Sequence, residues 1–196
     1  MKNNNIIILD FDETIFKHQS HEYFFKLMKL SLVSKLIKFL LYKIYESNYQ
    51  LIFFKYLSLV NKKKINSTYE NYCKLFPDNL NNEVISYITN NFKNSNIYIL
   101  SGGFDILIEP IRNFLKIELI LSTNTFDFRN KKVINSKDKL DYFLNQIKPL
   151  YNSQSFFVLI SDNDSDHIIS NQVDKVIVKK TSSSQKNILA CSDVII

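Results

Sequence analysis

Three short clusters of acids, hydroxyls and glycines stand out in this chain of 196 residues. The first is Asp10-Phe11-Asp12-Glu13-Thr14. Two carboxylates two residues apart face opposite sides of an extended strand, but beyond the strand's end both can turn into one cleft. There, one can attack and the other can shuttle a proton. The second cluster, Ser101-Gly102-Gly103, holds both glycines of the chain. Such a pair suits a strand-to-helix turn whose N–H groups approach a phosphate, or else a plain tight turn. The third is Ser161-Asp162-Asn163-Asp164-Ser165-Asp166. Asp162 and Asp166, four apart, can supply one hard-metal ligand and one supporting acid. Grouped carboxylates with few thiols or imidazoles favour Mg2+ over zinc. A lone acidic pair is more often a solvated turn or a helix cap, but acids at two strand ends with a hydroxyl at a third weaken that reading.

These clusters need strands to place them. Ile6-Ile7-Ile8-Leu9 is a continuous apolar run ending at the first cluster, the pattern of a strand buried on both faces. Further strands are expected at 97–100, 118–122, 156–160 and 175–178, with an edge strand at 194–196. Helices are expected at 81–92, 104–115, 136–147 and 166–170, and a hairpin at 126–134. Strands alternating with helices argue a doubly wound parallel sheet, in which ligands bind beyond the carboxyl ends of the strands. The stretch 20–61 differs. Its apolar residues recur at helical spacing without Gly or Pro, and Ser31 and Ser34 break the phase, so two helices are expected there. Further helices are expected at 48–60 and 67–75, with Lys62-Lys63-Lys64 as a loop or helix end. This helical insertion interrupts the first crossover.

Composition narrows the class. Apolar residues make up 45% and aromatics 14%, which supports a packed core and excludes a disordered chain. Cys73 and Cys191 lie far apart and away from any His, so neither a disulfide framework nor a thiolate metal site is expected. The N-terminal apolar run is too short for a signal peptide, and no uncharged stretch reaches the roughly 18 residues of a membrane span. A reduced cytoplasmic setting follows, with membrane association as an alternative. The basic excess is local. Residues 15–78 carry 11 lysines, no arginine and 4 acids, against 14 bases and 15 acids elsewhere. That asymmetry fits a separate structural unit facing an anionic partner, or a solvated lysine surface.

Taken together, the motifs resemble those of the haloacid dehalogenase superfamily. Asp10-Phe11-Asp12-Glu13-Thr14 is similar to its Asp-x-Asp-x-Thr motif, Ser101 to its second, and Asp162 with Asp166 to its fourth. The stretch 100–111 resembles the phosphoserine-phosphatase-like branch. The resemblance implies an α/β fold: a Rossmann-like parallel-sheet core, three-layer α/β/α, at 1–15 and 77–196, with an inserted α-helical cap at 16–76. It implies Asp10 as the nucleophile that forms an aspartyl-phosphate and Asp12 as general acid and base. It also implies Mg2+ held by Asp10, the Asp12 carbonyl and Asp162, with Asp166 supporting. Ser101, the Gly102 N–H and a lysine would bind phosphoryl oxygens, and Thr14 would fix the loop. Lys139 is the choice for that lysine, since Leu140 and Phe143 then fall as in the family pattern; Lys137 is the alternative.

Departures bear on the substrate. Ser161 and Asn163 stand where the fourth motif usually has glycines, and Asn tolerates a left-handed turn. Gln19 stands where phosphoserine phosphatases carry a glutamate, and the expected cap has no arginine. A lysine replaces a bidentate carboxylate clamp poorly, so phosphoserine is not the expected substrate unless Glu22 or a cap lysine compensates. His18, Gln19 and Glu22 are candidate substrate contacts, although His18 reads first as an exposed residue of the cap hinge. The leading expectation is a phosphatase acting on a small phosphomonoester. A second is a peripheral membrane lipid- or isoprenoid-phosphate phosphatase. A third, a non-catalytic basic module binding nucleic acid, is opposed by acids that would repel phosphates, and no nucleic-acid partner is expected.

Overall fold

The computed structural model describes residues 5–29, 36, 39–41, 43, 49–125, 134–181 and 185–196. The expected hairpin falls almost wholly outside them, at 126–133.

Six strands form one sheet: β1 Asn5–Leu9, β2 Asn96–Phe104, β3 Ile117–Thr123, β4 Phe156–Ser161, β5 Lys175–Val178 and β6 Val194–Ile195. The order is β3-β2-β1-β4-β5-β6, and every neighbouring pair is parallel. The first strand of the chain is thus an inner one, flanked by β2 and β4. Its side chains alternate between two buried layers: Ile7 and Leu9 join one apolar cluster, Ile6 and Ile8 the other. A sheet covered on both faces requires this, and the unbroken Ile-Ile-Ile-Leu run reflects it.

The helices follow the strand order. Between β1 and β2 lie α1 Ser20–Leu27, α2 Tyr49–Leu59, α3 Lys62–Leu75 and α4 Asn82–Asn91; residues 36, 39–41 and 43 are also helical. After β2 comes α5 Asp105–Ile108, continuing as a tight turn over Glu109–Asn113. Then follow α6 Ser136–Tyr142, running into a wide turn at Phe143–Ile147, α7 His167–Ser170 and α8 Lys186–Ala190.

Three expectations are corrected. The first helix, expected to break at Ser31 and Ser34, stops earlier: α1 ends at Leu27, and Lys29 adopts φ 47, a left-handed conformation that stops a helix. Helix α3 starts at Lys62, where the Asn61 side chain accepts from the Lys63 N–H at 2.8 Å and caps it. The helix expected at 104–115 is a four-residue helix followed by a 3-10 turn, since Pro110 has no N–H to donate and crowds the preceding turn.

Phe16 marks where the chain leaves the sheet. It stacks on Phe11 and Phe76 with centroids 5.5 and 5.3 Å apart. The outgoing and returning segments are paired: Lys17 N–H donates to the Asn79 carbonyl at 2.9 Å, and Asn81 N–H to the Ile15 carbonyl at 2.8 Å. The inserted helices lie on the Ile7 and Leu9 face. Phe53 of α2 stacks on Phe104 at 4.1 Å, directly after the glycine pair. Tyr72 of α3 donates to the Leu107 carbonyl at 2.8 Å.

Candidate active site

The carboxyl ends of β1, β2 and β4, the start of α6 and the segment after β5 surround one polar cavity of about 630 Å³. Asp10 leaves β1 with its N–H still donated to the Ile160 carbonyl of β4, so its backbone is held by the sheet. The chain then closes a turn in which the Phe11 carbonyl accepts from both Ile15 and Phe16. Glu13 completes that turn at φ 58. Asp12 faces back into the cavity, its Oδ1 accepting the Ser20 N–H at 2.7 Å.

Lys139 organises the acids. Its buried Nζ donates to Asp10 Oδ1 at 3.0 Å and to Asp166 Oδ1 and Oδ2 at 3.0 and 2.9 Å. Lys137 is not buried and does not line the cavity, so the geometry brings Lys139 to Asp10 and leaves the alternative outside. Helix α6 begins with a capping box, in which the Asn135 side chain accepts from Asp138 N–H and Asp138 returns a bond to Asn135 N–H. That fixes the first turn from which Lys139 projects. Ser161 donates to Asp166 Oδ2 at 2.9 Å and accepts the Asn163 N–H at 3.0 Å. The position that departs from the glycine pattern thus helps hold the acid behind the lysine. Asn163 needs no left-handed backbone; at φ −82 it caps the following turn by accepting the Ser165 N–H.

Asp162 is tied to the first cluster by Thr14. The Thr14 hydroxyl donates to Asp162 Oδ1 at 2.9 Å and accepts the Asp162 N–H at 2.8 Å. On the other side Thr181 Oγ donates to Asp162 Oδ2 at 3.2 Å, and Gln185 donates to the Asp162 carbonyl. Gln185 also donates to the Lys179 carbonyl and accepts the Thr181 N–H, which locks the loops after β4 and β5 together. The sequence reading missed Thr181 and Gln185. Both follow β5 in Lys179-Lys180-Thr181-Ser182-Ser183-Ser184-Gln185, which has no acid or glycine to mark it.

The glycines play a different part from the one expected. Both lie inside β2, neither has a positive φ, and the pairing with β3 is irregular between Leu100 and Phe104. Gly103 is needed for space. A Cβ there would sit 3.0 Å from Asp12 Oδ2, 3.2 Å from Ser101 Oγ and 3.3 Å from Ile108 Cδ1. Gly103→Ala should therefore lower kcat by about 10- to 100-fold, as small misplacements of reacting groups do. Its stability cost should stay near 1 to 3 kcal/mol, the usual range for overpacking. Unchanged kcat in steady-state assays would show that Asp12 and Ser101 do not need these positions.

Of the three candidate substrate contacts, only Gln19 lines the cavity, and it donates to Glu13. His18 lies outside, bonded to Asn79 at 3.1 Å and stacked on Tyr23 at 5.1 Å. Glu22 sits on α1 and does not reach the cavity. An exposed imidazole near the paired connecting segments gains more from an aromatic neighbour than from a polar cleft it cannot reach.

Burial sets the protonation of the site. It pushes the Asp10 carboxyl up to about 6, although Lys139 pulls the other way. Burial likewise raises Asp12 to about 7 against its bonds to Ser20. Asp162 rises to about 7, through burial and then the charge of Asp10. For Lys139, burial alone would favour the neutral amine, but the charges of Asp10 and Asp166 more than reverse it and hold the ammonium. Carboxyls raised above their ordinary 3.8 bind protons more tightly in the folded chain. Their contribution is fully present below about 3.8 and is lost as pH climbs through about 6 to 7. The metal-free protein should therefore melt at a higher temperature at pH 5 than at pH 8. A flat profile in differential scanning calorimetry would mean that these carboxyls stay solvated.

No family model matches the chain, and no curated protein matches it in sequence. Solved structures do match along almost its whole length. A phosphoserine phosphohydrolase-like protein from Francisella tularensis aligns over 98% of this chain and 94% of its own, with 23% identity and a TM-score of 0.62. A phosphoserine phosphatase solved as an analogue of its phospho-aspartyl intermediate aligns over 100% and 94%, at 16% identity and a TM-score of 0.62. The chain shares the fold of these two structures and of a HAD family hydrolase from Salmonella enterica, which aligns over 100% of this chain and 68% of its own at 14% identity and a TM-score of 0.65. A protein of unknown function from Bordetella pertussis matches the fold at a TM-score of 0.74 and 11% identity, over 100% of this chain and 99% of its own.

Proposed function

We propose that this chain is a phosphatase that hydrolyses a small phosphomonoester through an aspartyl-phosphate on Asp10. The observation that carries the reading is the meeting of Asp10, Asp12, Ser101, Lys139 and Asp162 in one polar cavity, with Asp12 raised to about 7. An Asp10 oxygen attacks phosphorus in line with the ester oxygen. The P–O ester bond breaks, and the leaving alkoxide takes the proton of Asp12. A water then attacks the phosphoryl-aspartate, Asp12 takes its proton, and inorganic phosphate leaves. An acid poised near neutral pH serves both halves. Lys139, the Ser101 hydroxyl and the Gly102 N–H would meet the phosphoryl oxygens, where preorganised donors stabilise the transition state most. Thr14 and Asp166 hold Asp162 and Lys139 in place.

Described acids lining the cavity outnumber Lys139, so a phosphate dianion needs a further positive charge. The donor set fits Mg2+. Asp10 and Asp162 offer hard oxygen donors, and the charge of Asp10 helps to raise Asp162. Among the described residues no cluster of three His, Cys, Asp or Glu side chains could hold a metal. The ion would therefore take two carboxylates, the Asp12 carbonyl and waters, a usual complement for Mg2+. When bound, it would screen the carboxylate from the phosphate charge. Inserted helices that open for substrate and close over the cavity would act as a cap that excludes bulk water. Phosphoserine is not the favoured substrate: Gln19 lines the cavity, and the described lining has no arginine.

The test is release of nitrophenol from p-nitrophenyl phosphate and of phosphate from a panel of small monoesters, with Mg2+ and with EDTA. Turnover that needs the cation supports the reading. No release from any ester in Mg2+ would overturn it.

A further inference from the structure

The inserted segment carries an outward apolar face that the cavity chemistry does not use. Leu36, Phe39 and Leu40 are 58%, 54% and 48% exposed, and each is helical. Spacings of three and four put them on one side of a helix. Leu41, on the other side, packs against the core. Isolated exposed apolar residues are ordinary, but three on one face mark a contact surface. Cations accompany them. Exposed Lys43 sits 5.0 Å from the centre of the Phe39 ring. Leu59, at the end of α2, is 65% exposed, and the exposed Lys62, Lys63 and Lys64 follow it. From 26 to 64 the sequence has nine lysines and one acid, Glu46.

We propose that this face docks peripherally on an anionic lipid bilayer, with Leu36, Phe39 and Leu40 entering the headgroup boundary and the lysines meeting lipid phosphates. Apolar tips beside long cationic stems are what such an interface accepts, because the stems lie along the apolar layer while the ammonium groups stay wet. No described helix is long and apolar enough to cross a membrane, so the contact is one of lying on the surface. A second copy fits less well, since it would bring Lys43 and the lysine-rich stretch 26–64 of one chain against the same lysines of another. A nucleic acid would satisfy the lysines and leave the leucines and phenylalanine in water. The proposal stands apart from the phosphatase reading, because it rests on residues outside the cavity.

The experiment is sedimentation of the full chain with vesicles of phosphatidylcholine alone and of phosphatidylcholine mixed with phosphatidylglycerol. Binding should be roughly tenfold or more stronger to the mixed vesicles and should fall with added salt. The triple variant Leu36→Glu, Phe39→Glu, Leu40→Glu should lose at least tenfold of that binding, with an unchanged circular dichroism melt. The variant Lys62→Glu, Lys63→Glu, Lys64→Glu leaves the apolar face intact and should lose the preference for anionic lipid. The proposal is overturned if wild type stays in the supernatant with mixed vesicles, if it ignores their charge, or if the triple glutamate variant of the apolar face pellets like wild type. It is also overturned if light scattering shows a dimer that this variant abolishes, which would assign the face to a second copy.

Discussion

Asp10→Asn should reduce turnover of any phosphomonoester by on the order of 10⁴-fold or more, the scale on which loss of a nucleophile acts. The change replaces an attacking carboxylate oxygen by an amide of the same shape. The amide oxygen can still accept from Lys139, and Lys139 keeps both oxygens of Asp166, so the fold should tolerate it. The loss should therefore fall on kcat, with a melting temperature close to that of wild type. Acid quenching with a labelled ester should trap a phosphoryl group on wild type and none on the variant. Residual activity within tenfold of wild type would move the nucleophile elsewhere and leave Asp10 a metal or structural role.

Lys139→Ala should be the most destabilising single change in the cavity. Lys139 Nζ lies between Asp10 and Asp166, all three are buried, and it contacts both carboxylates within 3.0 Å. Removing one partner of a buried ion pair typically costs about 3 to 5 kcal/mol, because the other charge is left without compensation. Asp166 would keep only the Ser161 hydroxyl among its side-chain bonds described above. The cost should shrink as pH falls, since the abandoned carboxyls can then take up protons. Urea denaturation at pH 8 and pH 5 measures both effects. The double variant Lys139→Ala, Asp166→Asn should recover part of the loss, because the second change removes the stranded charge. A loss below about 1 kcal/mol at pH 8 would mean that solvent reaches this cluster.

Much of this architecture could be read from residue order, for identifiable reasons. An unbroken apolar run before Asp10 has few places to go other than a strand covered on both faces, and β1 and β4 follow that logic. Acids placed directly after such runs must lie at one edge of a parallel sheet, so the nearness of Asp10 to Asp162 is legible in residue order alone. Features set by distant partners were not. The glycine pair reads locally as a turn, yet it lies in β2, where Gly103 makes room for Asp12, a residue far earlier in the chain. The break at Lys29 has no glycine or proline to announce it. Thr181 and Gln185 have residue types too common to attract notice, and their role follows only from where β5 delivers them. His18 is legible as an exposed hinge residue, but its stack on Tyr23, five positions on, is not.

The sheet order also imposes a timetable on synthesis. β1 leaves the ribosome first, yet its partners are β2, beginning at Asn96, and β4, beginning at Phe156. At about 5 to 20 residues per second, Ile6-Ile7-Ile8-Leu9 waits on the order of ten to thirty seconds for its second neighbour. Asp10 waits 129 positions for Lys139, which emerges before β4. Until β2 emerges both edges of this apolar strand are on offer to other nascent chains, and until β4 emerges one still is. Overexpression that outruns chaperone capacity should therefore send this protein into inclusion bodies, and slower translation at low temperature should recover it.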